Sequence, residues 1–218
     1  MKKITLSLFC IFIVIFAFGC NKGNSKNEKF TGTYTYWNDD EQTGKIIIFY
    51  DNDFVLMDIA SDIVLSKKFS YRKDGDTYYV KLIASYSDFG WENEESSEEQ
   101  LSFEDMGDML IIEGLTYTNW ESLYGSVAEE FEQGIETFFE GTWTDYYTSN
   151  GEENDVISFS GDSYSTNSGF SGTFAYKDTT LSFAHYDPVP TYILDKNHFA
   201  SIPDTDGEAI CLIYERIE

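Results

Sequence analysis

The sequence predicts a mainly β protein: two tandem, small antiparallel meander β-barrels joined by a short amphipathic helix, behind an N-terminal targeting segment. Three observations predict it. Among 218 residues Phe (18) and Tyr (16) each outnumber Leu (12), and an aromatic excess favours strands. One block of pattern recurs at an offset of 109 residues. The apolar spacing turns helical only between the two copies.

The chain opens with the basic Met1-Lys2-Lys3, followed by an apolar run of fifteen residues from Ile4 to Phe18, broken by Thr5 and Ser7. That is short of the roughly 20 residues that span a bilayer and fits the core of a secretory signal. The run ends Ala17-Phe18-Gly19-Cys20. This resembles the bacterial lipobox, a small residue directly before a cysteine that becomes diacylated. Ala17 and Phe18 stand where that motif prefers Leu and a small residue. The resemblance implies a signal over 1–19, lipid (palmitate-type) attachment at Cys20, and a body held outside the cytoplasm on a membrane of the bacterial envelope.

Residues 20–29 read as a flexible tether, because Asn21 to Lys29 carry no apolar side chain. Lys22, Lys26 and Lys29 against Glu28 give it a net charge of +2. From Phe30 onward 9 basic and 38 acidic residues leave −29, within −25 for the whole chain. A basic stalk suits an anionic membrane. The acidic body excludes non-specific nucleic-acid binding, which needs a basic surface. Only Cys211 remains in the body. It lies in the apolar run Ala209 to Tyr214, and reads as a buried, inert thiol.

The first copy spans 30–120 and the second 139–218. Phe30-Thr31-Gly32-Thr33-Tyr34 returns as Phe139-Glu140-Gly141-Thr142-Trp143. Lys45 to Tyr50 with the turn Asp51-Asn52-Asp53 parallels Asp155 to Phe159 with Ser160-Gly161-Asp162. Phe69-Ser70-Tyr71 parallels the stretch Gly172-Thr173-Phe174-Ala175-Tyr176. Short β-branched and aromatic runs between Gly, Asp and Asn signals read as strands. In the second copy they fall near 142–148, 155–159, 162–166, 170–176, 179–185, 190–194, 197–202 and 209–216. A meander this short hides its apolar face best by curling shut, which also removes unpaired edges. Phe170, Gly172 and Phe174 are then expected on one face, with Ser171, Thr173 and Ala175 on the other.

Between the copies, residues 121–138 change period. Leu123, Val127, Phe131 and Ile135 recur every four residues among glutamates, which predicts an amphipathic packing helix. The first copy carries an acidic insertion over 88–105, with eight acidic residues and no basic one. Within it, Glu92 to Glu99 read as an exposed, self-repelling loop.

Gly141-Thr142-Trp143 and Arg216, after Cys211-Leu212-Ile213-Tyr214, resemble the small lipocalin-like (calycin-type) domains of many bacterial lipoproteins. These open with Gly-x-Trp and end with a basic residue on the last strand. The resemblance implies that Arg216 lies across the Trp143 ring and, with Gly141, closes the barrel. The contact is physically sound, since a guanidinium over an indole is a favourable cation–π pair. The first copy departs from the pattern: Tyr34 replaces the Trp, and Leu115 to Trp120 holds no basic residue.

Catalytic signatures are not apparent. Neither Gly-x-Ser-x-Gly nor His-Glu-x-x-His occurs. His185 and His198 fall on neighbouring predicted strands, where they could meet. Asp204-Thr205-Asp206-Gly207 puts Ile202 and Ile213 at the first and twelfth positions of a calcium loop, so it reads as a turn. No cofactor or metal is expected, and the chain is not expected to be an enzyme. The expected function is a membrane-anchored, non-catalytic binding module for a small hydrophobic ligand or a partner. The alternative is an acidic envelope protein with a filled barrel that meets a basic protein partner.

Overall fold

The structure, a computed structural model, describes residues 29–60, 63–87, 90–124, 135–145, 155–202, 204–205, 208–209 and 211–217. The expected signal, Cys20 and the tether up to Glu28 lie outside the described residues, as do positions 125–134 of the expected helix. No helix among the described residues is long and apolar enough to cross a membrane.

The first β-rich domain has ten strands: β1 (Gly32–Asn38), β2 (Thr43–Phe49), β3 (Asp53–Ala60), β4 (Ile63–Asp74), β5 (Thr77–Ser87), β6 (Gly90–Asn93), β7 (Glu99–Leu101), β8 (Phe103–Asp105), β9 (Met109–Ile112) and β10 (Leu115–Thr118). They form one antiparallel sheet in the order β6-β5-β4-β3-β2-β1-β10-β9-β8, with β7 also on β5. Tight turns drive the meander. Tyr50 N–H donates to Asp53 O across Asp51-Asn52, and Gly75 takes φ +61° between β4 and β5, a conformation that glycine adopts without steric cost. Phe30, two residues before β1, plugs the interior. It packs on Phe49, Tyr71, Tyr78 and Phe103 at ring separations of 5.1–6.1 Å.

This domain corrects the expectation of two closed barrels, because it is a curled half-barrel. β1 meets β10 at a single register pair, Thr35↔Thr118. The strand that would join β5 to β9 breaks at Ser102, so β7 pairs with β5 and β8 with β9. Ser102 N–H leaves both ladders and donates to Glu113 Oε1 at 2.8 Å. The acidic insertion is exposed as expected over most of 92–99, and its middle, 94–98, carries no strand, but β6 and β7 take the ends of the expected loop and β8 follows it. Arg72 donates two hydrogen bonds of 2.8 and 2.6 Å to Glu98 and lies 4.3 Å from the centre of the Tyr79 ring. Phe103 packs against the core. Local pairing and one inward ring thus hold a segment whose charge alone suggests solvation.

The second domain is a closed barrel of β11 (Gly141–Asp145), β12 (Val156–Ser160), β13 (Ser163–Thr166), β14 (Ser171–Lys177), β15 (Thr180–Phe183), β16 (Val189–Ile193), β17 (His198–Ser201) and β20 (Leu212–Arg216). The pair β18 (Asp204–Thr205) and β19 (Glu208–Ala209) interrupts the path from β17 to β20. Each of the eight expected strands has its counterpart. Along β14, Phe174 and Tyr176 are buried while Ser171, Thr173 and Ala175 are exposed. Phe170 departs from that alternation, because it precedes the strand and is exposed at the rim. The two-residue turn Asp178-Thr179 has both φ values near +50°, the geometry that matches the twist of a hairpin.

The two domains share one plan through five strands. Gly32 pairs with Phe49 as Gly141 pairs with Phe159. Phe49↔Phe54 matches Phe159↔Tyr164, and Tyr71↔Val80 matches Phe174↔Phe183. The linker begins as helix over 120–124. Asn119 caps it, accepting the Ser122 N–H at 2.9 Å. A 3₁₀ turn at Ile135–Phe138 leads into the barrel.

A third core joins the domains directly. Ile46, Met57 and Ile59 on the outer face of the first sheet cluster with Tyr192, Leu194, Ala200, Cys211 and Ile213 of the second domain. Thr35 Oγ1 donates to Ile193 O at 2.5 Å, and Trp120 Nε1 donates to Leu194 O at 3.1 Å. This seam explains the continuous run Ile46-Ile47-Ile48, where β2 is buried on both faces. The linker helix is therefore an accessory to the junction, not its sole bridge.

Burial pushes the Tyr192 hydroxyl up to about 12, and raises those of Tyr117, Tyr176 and Tyr214 further. An unfolded tyrosine ionises near about 10. Above that pH the unfolded chain sheds protons that the folded chain keeps. Stability is therefore full below about pH 10 and falls as pH rises through the folded values. Alkaline titration is expected to show tyrosinate absorbance rising in a step that coincides with loss of circular dichroism. Smooth ionisation of all tyrosines with the fold intact would contradict this burial.

Candidate functional site at the open end of the second barrel

Strand pairing gives the barrel two unlike ends. At one end Phe138 and Phe139 fill the interior below Trp143, which is fully buried. Trp143 Nε1 donates to Phe139 O at 2.8 Å. Arg216 pairs with Trp143 across β11 and β20, and its guanidinium lies 4.2 Å from a Trp143 ring centroid. It also donates to the Glu140 and Phe138 carbonyls. Burial lowers the Arg216 pKa, which still leaves a permanent cation. Gly141 takes φ +112° where the chain turns from Phe139 into β11. The structure thus brings Gly141, Trp143 and Arg216 together on one floor.

The half-barrel solves the same corner differently. Thr35↔Thr118 sets Asn119 opposite Tyr34, the place Arg216 takes opposite Trp143. The Tyr34 hydroxyl is raised by burial, offset in part by a hydrogen bond with Asn119. An amide and a phenol replace the cation and the indole.

The other end of the barrel is open. Ile157, Phe159, Leu181, Phe183, Val189, Phe199, Ser201, Leu212 and Tyr214 line a cavity of about 140 Å³. A wider cleft of about 330 Å³ adjoins it and shares Ile157, Phe183 and Tyr214. Asp155, Phe170 and Tyr186 form its rim, and the buried Tyr164 lies in its wall. Tyr164 meets Phe183 edge to face at 4.6 Å, and Phe170 meets Tyr186 at 6.4 Å. Sequence reasoning named none of these as ligand contacts. The available signal was an aromatic residue at each of two turns, Phe170 after Gly169 and Tyr186 before Asp187-Pro188, where polar residues are usual.

The expected histidine pair does not form. His185 sits in the turn before β16, at the open end, and His198 starts β17 at the floor. Strand β16 runs between them and separates the two by roughly 17 Å at 3.4 Å per residue. His198 is buried at the seam instead. Its Nδ1 lies 2.9 Å from Asp195 Oδ1 and 3.9 Å from Asp39, and its ring meets Trp37 at 4.7 Å. Burial pushes the Asp195 carboxyl up, but bonds from His198 and the Asn197 N–H hold it below the ordinary value. Asp39, Asp195 and His198 have the donor types of a metal site. Asp39 already accepts the Trp37 indole N–H at 2.6 Å, so the group reads as a polar clasp between domains.

Compared with known proteins, the chain has no significant match among family models, curated proteins or solved structures.

Proposed function

We propose that the protein is a non-catalytic, lipocalin-like binding module that takes a small, largely apolar molecule into the open end of its second barrel. The observation that carries this reading is the apolar cavity continuing into the aromatic cleft. Apolar concavities with few polar groups are the usual form of small-molecule sites. Residues 1–29 extend the proposal to its setting. A signal over 1–19 and acylation at Cys20 would tether the domains to an envelope membrane, where two chains of about 0.8 kcal/mol per buried CH₂ dominate the anchoring.

For the first domain, a half-barrel, we favour the alternative of a filled interior that offers only an acidic surface. Phe30, Phe49, Tyr71, Tyr78 and Phe103 pack in mutual contact there, and a basic protein partner would meet its outside. The two readings separate by native mass spectrometry of the intact chain released from neutral micelles. Wild type is expected to retain a small molecule, or to take up naphthalene or indole. Leu212→Trp, which fills the cavity wall, is expected to lose that adduct with its circular dichroism unchanged. A bare mass for wild type under every condition would leave only the surface reading.

A further inference from the structure

Resting on that reading of the open end, we infer that its ligand is an organic cation, an alkylated ammonium whose charge sits among ring faces. Four observations converge on this chemistry.

The first is the kind of wall. Tyr164, Phe170, Phe183, Tyr186 and Tyr214 surround the cleft. The two edge-to-face pairs, at interplanar angles of 65° and 84°, turn ring faces in different directions, as a cage for a rounded cation requires. Phe170 and Tyr186 are more than half exposed, at 57% and 53%. Two large rings left in water at one rim are costly unless something covers them.

The second is charge. Among the described residues that join strands at this end, four are acidic, Asp155, Asp187, Asp204 and Glu208, and none is Lys or Arg. The basic residues of the barrel, Lys177, Lys196 and Arg216, all fall at the floor end. An anion entering here would meet carboxylates and no counter-charge, which argues against fatty acids and phosphates. Asp155 is the charged residue that lines the cleft itself.

The third is the local field. Tyr214 faces Asp145 across β11 and β20. Its hydroxyl resists ionisation through burial first, and then through Asp145 and Asp155. Burial opposes a charge of either sign, and the part that comes from Asp145 and Asp155 is the part that favours a positive one.

The fourth is the scarcity of hydrogen-bonding groups. The polar side chains in the two linings are Thr166, Ser168, Ser201 and Asp155, besides the tyrosine hydroxyls. A primary ammonium brings three donors that each need an acceptor. A tertiary or quaternary ammonium brings one or none, and its methyl groups suit the apolar walls.

The test is calorimetric titration of the full-length chain in neutral detergent with choline, tetramethylammonium and 3,3-dimethyl-1-butanol, the uncharged carbon isostere of choline. Choline is expected to bind at least tenfold more tightly than the isostere. Phe170→Ala and Asp155→Asn, both at exposed positions, are each expected to weaken choline about fivefold or more with the fold intact. Equal or tighter binding of the isostere overturns the cation while leaving an apolar site in place. Binding of none of the three overturns the cation as well, and uptake of naphthalene or indole then decides whether the site itself survives.

Discussion

Trp143→Ala is expected to cost the second domain about 3–5 kcal/mol, the range for removing a fully buried large ring. Three losses coincide. The indole is 0% exposed and packs on Phe138 at 5.2 Å and Phe199 at 4.9 Å, so alanine leaves a cavity. Phe139 O loses its bond from Nε1, and an unpaired buried carbonyl is itself costly. The Arg216 guanidinium loses the ring it covers. Domain stabilities are of the order of 5–15 kcal/mol, so the barrel should be largely unfolded at modest temperature. Trp143→Phe keeps a ring but neither the N–H nor the wider face, and should cost about 1–2 kcal/mol less than a full cavity does. Thermal melts followed by near-ultraviolet circular dichroism check the series. A loss below about 1 kcal/mol for Trp143→Ala would mean that this floor does not hold the barrel shut.

Ile46→Asp should separate the domains. Ile46 is fully buried on the outer face of β2, within the cluster that includes Tyr192, Leu194 and Ile213. An aspartate there forfeits the burial of the aliphatic chain and places a carboxylate with no counter-ion in apolar surroundings. The combined cost is about 5 kcal/mol or more. Because the seam is separate from both interior cores, the domains should survive apart. Wild type is expected to unfold in one transition and Ile46→Asp in two, with a larger hydrodynamic radius. Ile46→Val, at about 1 kcal/mol, should retain the single transition. One unchanged cooperative transition in Ile46→Asp would show that the seam carries no coupling.

How much of this was legible follows from the range over which each signal acts. Turn residues act within four positions, so Asp51-Asn52-Asp53 and Ser160-Gly161-Asp162 marked hairpins without any knowledge of partners. Alternation acts within one strand, and β14 shows it where its outer face meets water. Phe30-x-Gly and Phe139-x-Gly marked the repeat, and the shared pattern carried into a shared register over five strands. Gly141, Trp143 and Arg216 were named together only through a resemblance. Arg216 lies 73 positions beyond Trp143, and nothing local in the sequence relates them.

What the sequence determined by itself was the β class, the hairpin order and the inward faces, because propensity, turn chemistry and period-two burial are properties of neighbouring residues. Whether a sheet closes was decided only in three dimensions. Closure depends on every neighbouring pair meeting in register; the first sheet opens at Ser102, where β7 stays on β5 and β8 goes to β9, and β1 meets β10 at a single register pair. The seam was likewise hidden, since an isoleucine run reads alike whether its second face meets its own barrel or another. The open end arose from the same level. Rings from three strands and two turns converge on one cleft, while the basic side chains collect at the opposite end, and only the antiparallel winding of the barrel sorts them so.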